Sequence, residues 1–278
     1  MGRIRSRRAA SAMISVCGLH KVYPLRRSLR ALLRAPLRRS HGVSALRGVD
    51  LEVPEGEVFG LLGANGAGKT TLLKVLANLV LPTSGSVRID GFDVGVDPLE
   101  VRRRVGYVPS DERSFFWRLT ARQNLRFFGA LYEIPPRETE RRIAKYLDMF
   151  DIARHADVPF AVLSSGRKKV FTLLRGLIPE PRVLLLDETT NSLDPTTSET
   201  VMEHVRHLSH EDGRAVIWAT HRLEEVRGIC DRVMLIDEGQ QRFCGSIAEF
   251  RAAASKSEGG SDAGGQSLAK AFQELLKT

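Results

Sequence analysis

The 278-residue sequence holds only three cysteines, Cys17, Cys230 and Cys244, scattered without metal-type spacing. That excludes a disulfide framework and a thiolate zinc site, and fits a reducing compartment with the thiols as small core residues. No apolar run approaches the roughly 18 residues needed to cross a bilayer. If the chain works at a membrane, its spanning segments come from another protein. Acids are missing from two arginine-rich stretches, one with Arg3, Arg5, Arg7 and Arg8, the other with Arg26, Arg27, Arg30, Arg34, Arg38 and Arg39. They account for much of the net charge of +9. Neither is interleaved with aromatics and no nucleic-acid reader motif accompanies them, so nucleic acid is not expected as a partner. Solvated basic surface or contact with anionic lipid head groups are the readings left open.

Residues 63–71 read Gly-Ala-Asn-Gly-Ala-Gly-Lys-Thr-Thr, which contains the whole phosphate-loop pattern G-x-x-x-x-G-K-[ST]. Gly63, Gly66 and Gly68 let the backbone turn tightly and bring N–H groups against phosphate oxygens. Asn65, Ala67 and Thr71 lie in the same cradle. Lys69 supplies a cation that reaches the outer phosphates, and the Thr70 hydroxyl suits Mg²⁺. Residues 58–62 read as a buried strand, and residues 71–77 as a helix whose N-terminus faces the phosphates. Strand, loop and helix agree, which argues against a glycine turn that binds nothing.

Along the chain, strands are expected over 13–23, 46–53, 58–62, 86–90, 104–108, 182–187, 215–219, 233–236 and 241–244. Helices are expected after residues 71, 196 and 223, and the pattern is helical from 119 to about 174. Such alternation around a phosphate loop argues an α/β fold with a largely parallel sheet. Leu25, Leu29, Leu32 and Leu33 recur at helical spacing among arginines until Pro36. That segment reads as a basic amphipathic helix, lying on an acidic membrane surface or packed on the domain. Residues 255–266 are a Ser/Gly-rich linker, followed by a last amphipathic helix.

The second chemical element is Val183-Leu184-Leu185-Leu186-Asp187-Glu188, a buried strand ending in two carboxylates. In open α/β sheets that edge is where ligands bind. Asp187 is placed to hold Mg²⁺, and Glu188 to accept a proton from an attacking water.

With Leu163-Ser164-Ser165-Gly166-Arg167 added, the chain resembles the ATP-binding subunits of ABC transporters, with motifs in family order from Tyr23 to His221. The resemblance implies a P-loop NTPase ABC-type domain with a helical subdomain and an antiparallel β subdomain. It implies ATP and Mg²⁺ as cofactors, a second ATP-binding subunit (a homodimer) and a separate transmembrane permease. Peripheral contact with the cytoplasmic face of the membrane follows from those partners. Ser164, Ser165 and Gly166 would contact the γ-phosphate of ATP held by the other subunit. Asn191-Ser192-Leu193-Asp194-Pro195 resembles the dimer-contact loop, with Asp194 its acid. His221 resembles the switch histidine, and Tyr23 the aromatic that stacks on adenine. The expected domains are a basic arm over 1–12, the ATP-binding domain over 13–254, the linker over 255–266 and the C-terminal helix over 267–278. The insert over 24–42 and the helical subdomain over about 111–178 fall inside the second.

The chain departs from the family pattern at several positions. Ser110 stands where glutamine helps hold Mg²⁺, Arg167 where the signature commonly has glutamine, and Thr189 where proline follows the acids. None removes Lys69, Thr70, Asp187, Glu188 or His221, so hydrolysis is expected, slowed by Ser110. Phe115, Phe116 and Trp117 either line the groove that accepts the permease or close the core of the helical insert. The leading functional reading is the ATPase subunit of an ABC exporter. A soluble ABC ATPase acting on ribosomes or DNA, and a weakly hydrolysing regulatory subunit, are the alternatives.

Overall fold

The computed structural model describes residues 12–24 and 42–256. Nearly all of the basic arm and of the arginine-rich insert, most of the linker and the C-terminal helix of the sequence reading lie outside them. Two sheets organise the described residues. Strands β1 (Ile14–Tyr23), β2 (Val43–Val53), β4 (Ser84–Ile89) and β5 (Phe92–Asp93) form an antiparallel sheet in the order β2-β1-β4-β5. Strands β3 (Val58–Leu62), β6 (Val105–Val108), β7 (Val183–Asp187), β8 (Ala215–Thr220), β9 (Arg232–Asp237) and β10 (Gln240–Ser246) form the second, ordered β10-β9-β3-β8-β7-β6. All its pairings are parallel except β9 with β10.

β3, β7 and β8 are buried throughout and β9 nearly so, which is why these strands read as near-continuous apolar runs, whereas the edge strand β10 is partly exposed. Side chains alternate between two cores. Val58, Leu62, Leu184, Leu186, Val216 and Trp218 face the helical side. Phe59, Leu61, Val183, Leu185, Ile217 and Met234 face the antiparallel sheet. The helical side is built by α3 (Ala121–Leu131), α4 (Pro136–Met149), α5 (Ser165–Leu177), α6 (Pro195–His210) and α7 (Leu223–Ile229). The α1 helix (Lys69–Leu76) follows β3 directly, α2 (Pro98–Arg104) leads into β6, and α8 (Ile247–Lys256) follows β10.

Local chemistry explains the helix starts. Thr120 and Gln123 close a reciprocal capping box at α3. Ser164 caps α5 by accepting from Arg167 N–H at 3.4 Å. Asp194 caps α6, accepting from Thr197 N–H at 3.0 Å and from Thr197 Oγ1 at 2.7 Å, before Pro195 at the first helical position.

Candidate active site

The carboxyl ends of β3, β8 and β7 lie side by side, so the residues just beyond them share one edge. β3 delivers the phosphate loop, β7 delivers Asp187 and Glu188, and β8, between them, delivers His221.

In the loop, Gly66 has φ +85 and open space where a Cβ would stand, while Gly68, at φ +114, caps α1. No acid stands in the first turn of α1, leaving its N-terminal amides to an anion. Lys69 is buried. Its Nζ donates to the carbonyls of Gly63 at 2.7 Å and Ala64 at 3.1 Å, and lies 3.7 Å from Glu188 Oε1. Burial lowers its proton affinity, opposed by the charges of Glu188 and Asp187.

Thr70 Oγ1 donates to Asp187 Oδ2 at 2.9 Å. A hydroxyl and a buried carboxylate so placed are hard oxygen donors of the kind Mg²⁺ takes beside phosphates, so these residues fit the metal. Burial holds the Asp187 carboxyl above its ordinary value, against the Thr70 hydrogen bond, and the Glu188 charge adds to the rise. Tyr107, which sequence reading missed, points its hydroxyl at Asp187 Oδ2 from 3.5 Å. Burial, then Asp187, pushes that phenol up.

Glu188 sits between three groups: Lys69, His221 Nδ1 at 3.2 Å from Oε1, and Asn191 Nδ2 donating to Oε2 at 2.7 Å. Its φ of +49 is left-handed, costly for a residue with a Cβ by about 1–3 kcal/mol. Two backbone bonds hold that conformation, Glu188 N–H to Ala219 C=O at 2.9 Å and Asn191 N–H to Glu188 C=O at 3.2 Å. His221 is exposed, so its ring is open to a ligand.

The remaining expected residues are not all gathered here. Ser164, Gly166 and Asp194 line a separate cavity of about 370 Å³, together with Arg154, His155 and Arg167. Ser165 opens α5 and is exposed. Asp194 is occupied as the α6 cap, and Thr197 holds its carboxyl below the ordinary range. Tyr23 ends β1, part-exposed, with Lys21 Nζ 5.0 Å from its ring centroid. Ser110 is exposed, and its carbonyl accepts from the buried Lys169 of α5. Burial lowers the Lys169 ammonium, while Glu112, Asp187, Asp111 and Glu188 pull it back up. The aromatic cluster divides. Phe115 is buried, its ring stacked on Phe160 at 4.2 Å, whereas Phe116 and Trp117 are about half exposed. A neighbouring cavity of about 420 Å³ is lined by Leu79, Tyr107, Phe128, Tyr132 and Arg175, among others.

Known proteins resemble this chain in sequence and in fold. A sequence model described as ABC transporter matches residues 46–191. The chain is 36% identical over 205 residues to the ABC transporter ATP-binding protein NatA of Bacillus subtilis, spanning 74% of this chain and 83% of that one. It is 39% identical over 212 residues to the methionine import ATP-binding protein MetN of Caulobacter vibrioides, spanning 75% of this chain and 64% of that one. A solved dimeric ATP-binding cassette in a post-hydrolysis state, bound to ADP and Pi, matches with a TM-score of 0.73 at 26% identity. That match covers 84% of this chain and 99% of the other.

Proposed function

Because the chain belongs to the ABC transporter family of ATP-binding, ATP-hydrolysing subunits, we propose that it powers export, two copies closing on two ATP·Mg²⁺ against a separate permease. The observation that carries this reading is the grouping of Lys69, Thr70, Asp187, Glu188 and His221 at one sheet edge.

In this reading the loop amides and Lys69 cradle the outer phosphates, with Asn65, Ala67 and Thr71 completing the wrap. Thr70 and Asp187 would hold Mg²⁺, which would supply positive charge to offset that of the phosphates. Ser110, whose side chain is short, would meet that metal through a water. Glu188 takes the proton of the attacking water, and His221 orients Glu188 and meets the γ-phosphate. Ser164, Ser165 and Gly166, at the α5 N-terminus, serve the γ-phosphate on the other copy, and the Asp194 loop contacts that copy. Tyr23 stacks on adenine. Closure completes each site and moves the permease, which docks at the groove beside Phe116 and Trp117.

No helix among the described residues is long and apolar enough to cross a membrane. In this reading the permease supplies the spanning segments and holds the subunit at the cytoplasmic face. The lead Phe59-Gly60-Leu61-Leu62 resembles export-type subunits and supports that direction, while the similarity to a methionine import protein favours import as the second reading. Glu188→Gln is expected to bind ATP, lose turnover and accumulate as an ATP-trapped dimer on size exclusion. Unchanged turnover sinks the assignment of the base. For direction, deleting the gene should sensitise cells to toxic compounds; a new nutrient requirement instead means import.

A further inference from the structure

Glu225, in the first turn of α7, is a buried carboxylate to which none of the steps above assigns a part. Its two oxygens gather donors from three segments. Oε1 accepts from Thr190 Oγ1 at 2.6 Å and lies 2.9 Å from Arg222 Nη1. Oε2 accepts from Trp218 Nε1 at 3.1 Å. Thr190 lies two residues after Glu188. Arg222 follows His221, and Trp218 stands in β8 three residues before His221. One side chain, in the protein interior, thus ties the turn that carries Glu188 to the segment that carries His221.

Two features give that tie a purpose beyond packing. The Glu188 turn is strained, at φ +49, and the Glu188 backbone is held there by bonds to Ala219 and Asn191. The 3.2 Å contact between His221 Nδ1 and Glu188 Oε1 joins two loops that leave different strands, so its length depends on how those loops are held behind the site. A fully partnered buried carboxylate is a stiff joint, because loosening any bond leaves charge uncompensated in a poorly polarisable interior. Shifting a reacting group by about 1 Å can cost on the order of a hundredfold in rate.

We propose that Glu225 is a positioning residue that sets the placement of Glu188 against His221 by clamping Thr190 and Arg222 from behind. This rests on the reading of Glu188 as base and His221 as its orienting partner.

The test uses the full chain and measures kcat, KM, ATP affinity and thermal unfolding in five variants. Thr190→Val removes one donor and leaves Arg222 and Trp218 on Glu225. Its kcat should fall about tenfold or more with KM within about twofold of wild type, the mark of a lost transition-state interaction. Thr190→Ser keeps the hydroxyl and should restore turnover. Glu225→Gln should lower kcat similarly, and the double variant Thr190→Val/Glu225→Gln should be no slower than the slower single, since the two act as one unit. Wild-type kcat in Thr190→Val, losses that multiply in the double variant, or losses explained by unfolded protein alone overturn the proposal. Glu188→Gln separates the two readings. If it keeps turnover, the assignment of the base fails and this inference with it. If it abolishes turnover while Thr190→Val changes nothing, only the positioning role fails.

Discussion

Thr70 Oγ1 donates to Asp187 Oδ2 at 2.9 Å, fastening the first turn of α1 to the end of β7. The same two oxygens are the ones proposed to meet Mg²⁺. Thr70→Val keeps the shape and removes the oxygen. ATP affinity should fall about tenfold in Mg²⁺, the scale of one lost charge-assisted contact of roughly 1.4 kcal/mol. With EDTA present the two proteins should bind ATP alike. Equal weakening in both conditions contradicts a metal role for Thr70.

Gly68 makes a separate prediction about the cradle. At φ +114 its added Cβ would stand 2.7 Å from the Ala45 carbonyl. Both the backbone conformation and the neighbour exclude a side chain, so Gly68→Ala must rearrange the loop at a cost of about 1–3 kcal/mol. Titration with a fluorescent ATP analogue should show binding lost, with the melting temperature lowered by a few degrees. Normal binding in this variant rules out close backbone contact with phosphate at this point.

The parts of the site legible in the sequence are those whose chemistry is local. Lys69 and Thr70 follow a strand and open a helix within a dozen residues, and Asp187 ends an apolar run, so period and order suffice. Tyr107, Lys169 and Glu225 were not legible, because each meets its partner through pairing of distant segments. Tyr107 reaches Asp187 only because β6 lies beside β7 in register, Tyr107 opposite Leu185. The resemblance implied an antiparallel β subdomain, but its strand pairing was not legible locally: β1 pairs with β4 through Ile14 opposite Ile89, which no local pattern announces. β5 spans two residues, too few for a period. α2 did have a signal, Asp97 before Pro98 at the first helical position, but its seven residues bury little beyond Val101. Phe115 and Trp117 lie in a loop without periodicity, so nothing in sequence separated the buried ring from the exposed one.

The helical side carries a pH-dependent contact. Glu138 accepts from Arg141 Nε and Nη2 and from Arg142 Nε, each at 2.7 Å. Those hydrogen bonds hold its carboxyl down to about 2, from 4.5. A carboxylate depressed in the folded state stabilises above its unfolded value and loses that contribution as pH falls through the folded one. Wild type should therefore melt higher than Glu138→Gln at neutral pH, with the gap closing between pH 4.5 and about 2. The gap should be small, because the pair is solvent-screened. A gap that widens on acidification contradicts the assignment.

Trp117 tests the surface that faces the proposed permease. Its indole is half exposed, with Lys168 Nζ 4.5 Å from the ring centroid and the Phe160 ring edge-on at 6.3 Å. Phe115, two residues earlier, does the packing, stacked on Phe160. Truncating Trp117 therefore removes exposed contact area and leaves the buried ring in place. Aromatic anchors of this kind carry a large part of interface energy, often 2 kcal/mol or more, so coupling should suffer before catalysis does. In vesicles holding the permease, Trp117→Ala should lose most ATP-driven transport and most stimulation by the permease. The same variant free in solution should hydrolyse ATP within about twofold of wild type, a change of roughly 0.4 kcal/mol. Phe115→Ala is the contrasting case. It opens a cavity against Phe160 and Phe128, at a cost of about 3–5 kcal/mol, and should lower stability and turnover together. If Trp117→Ala instead loses stability and both activities in the same proportion, the exposed ring serves the fold rather than the permease.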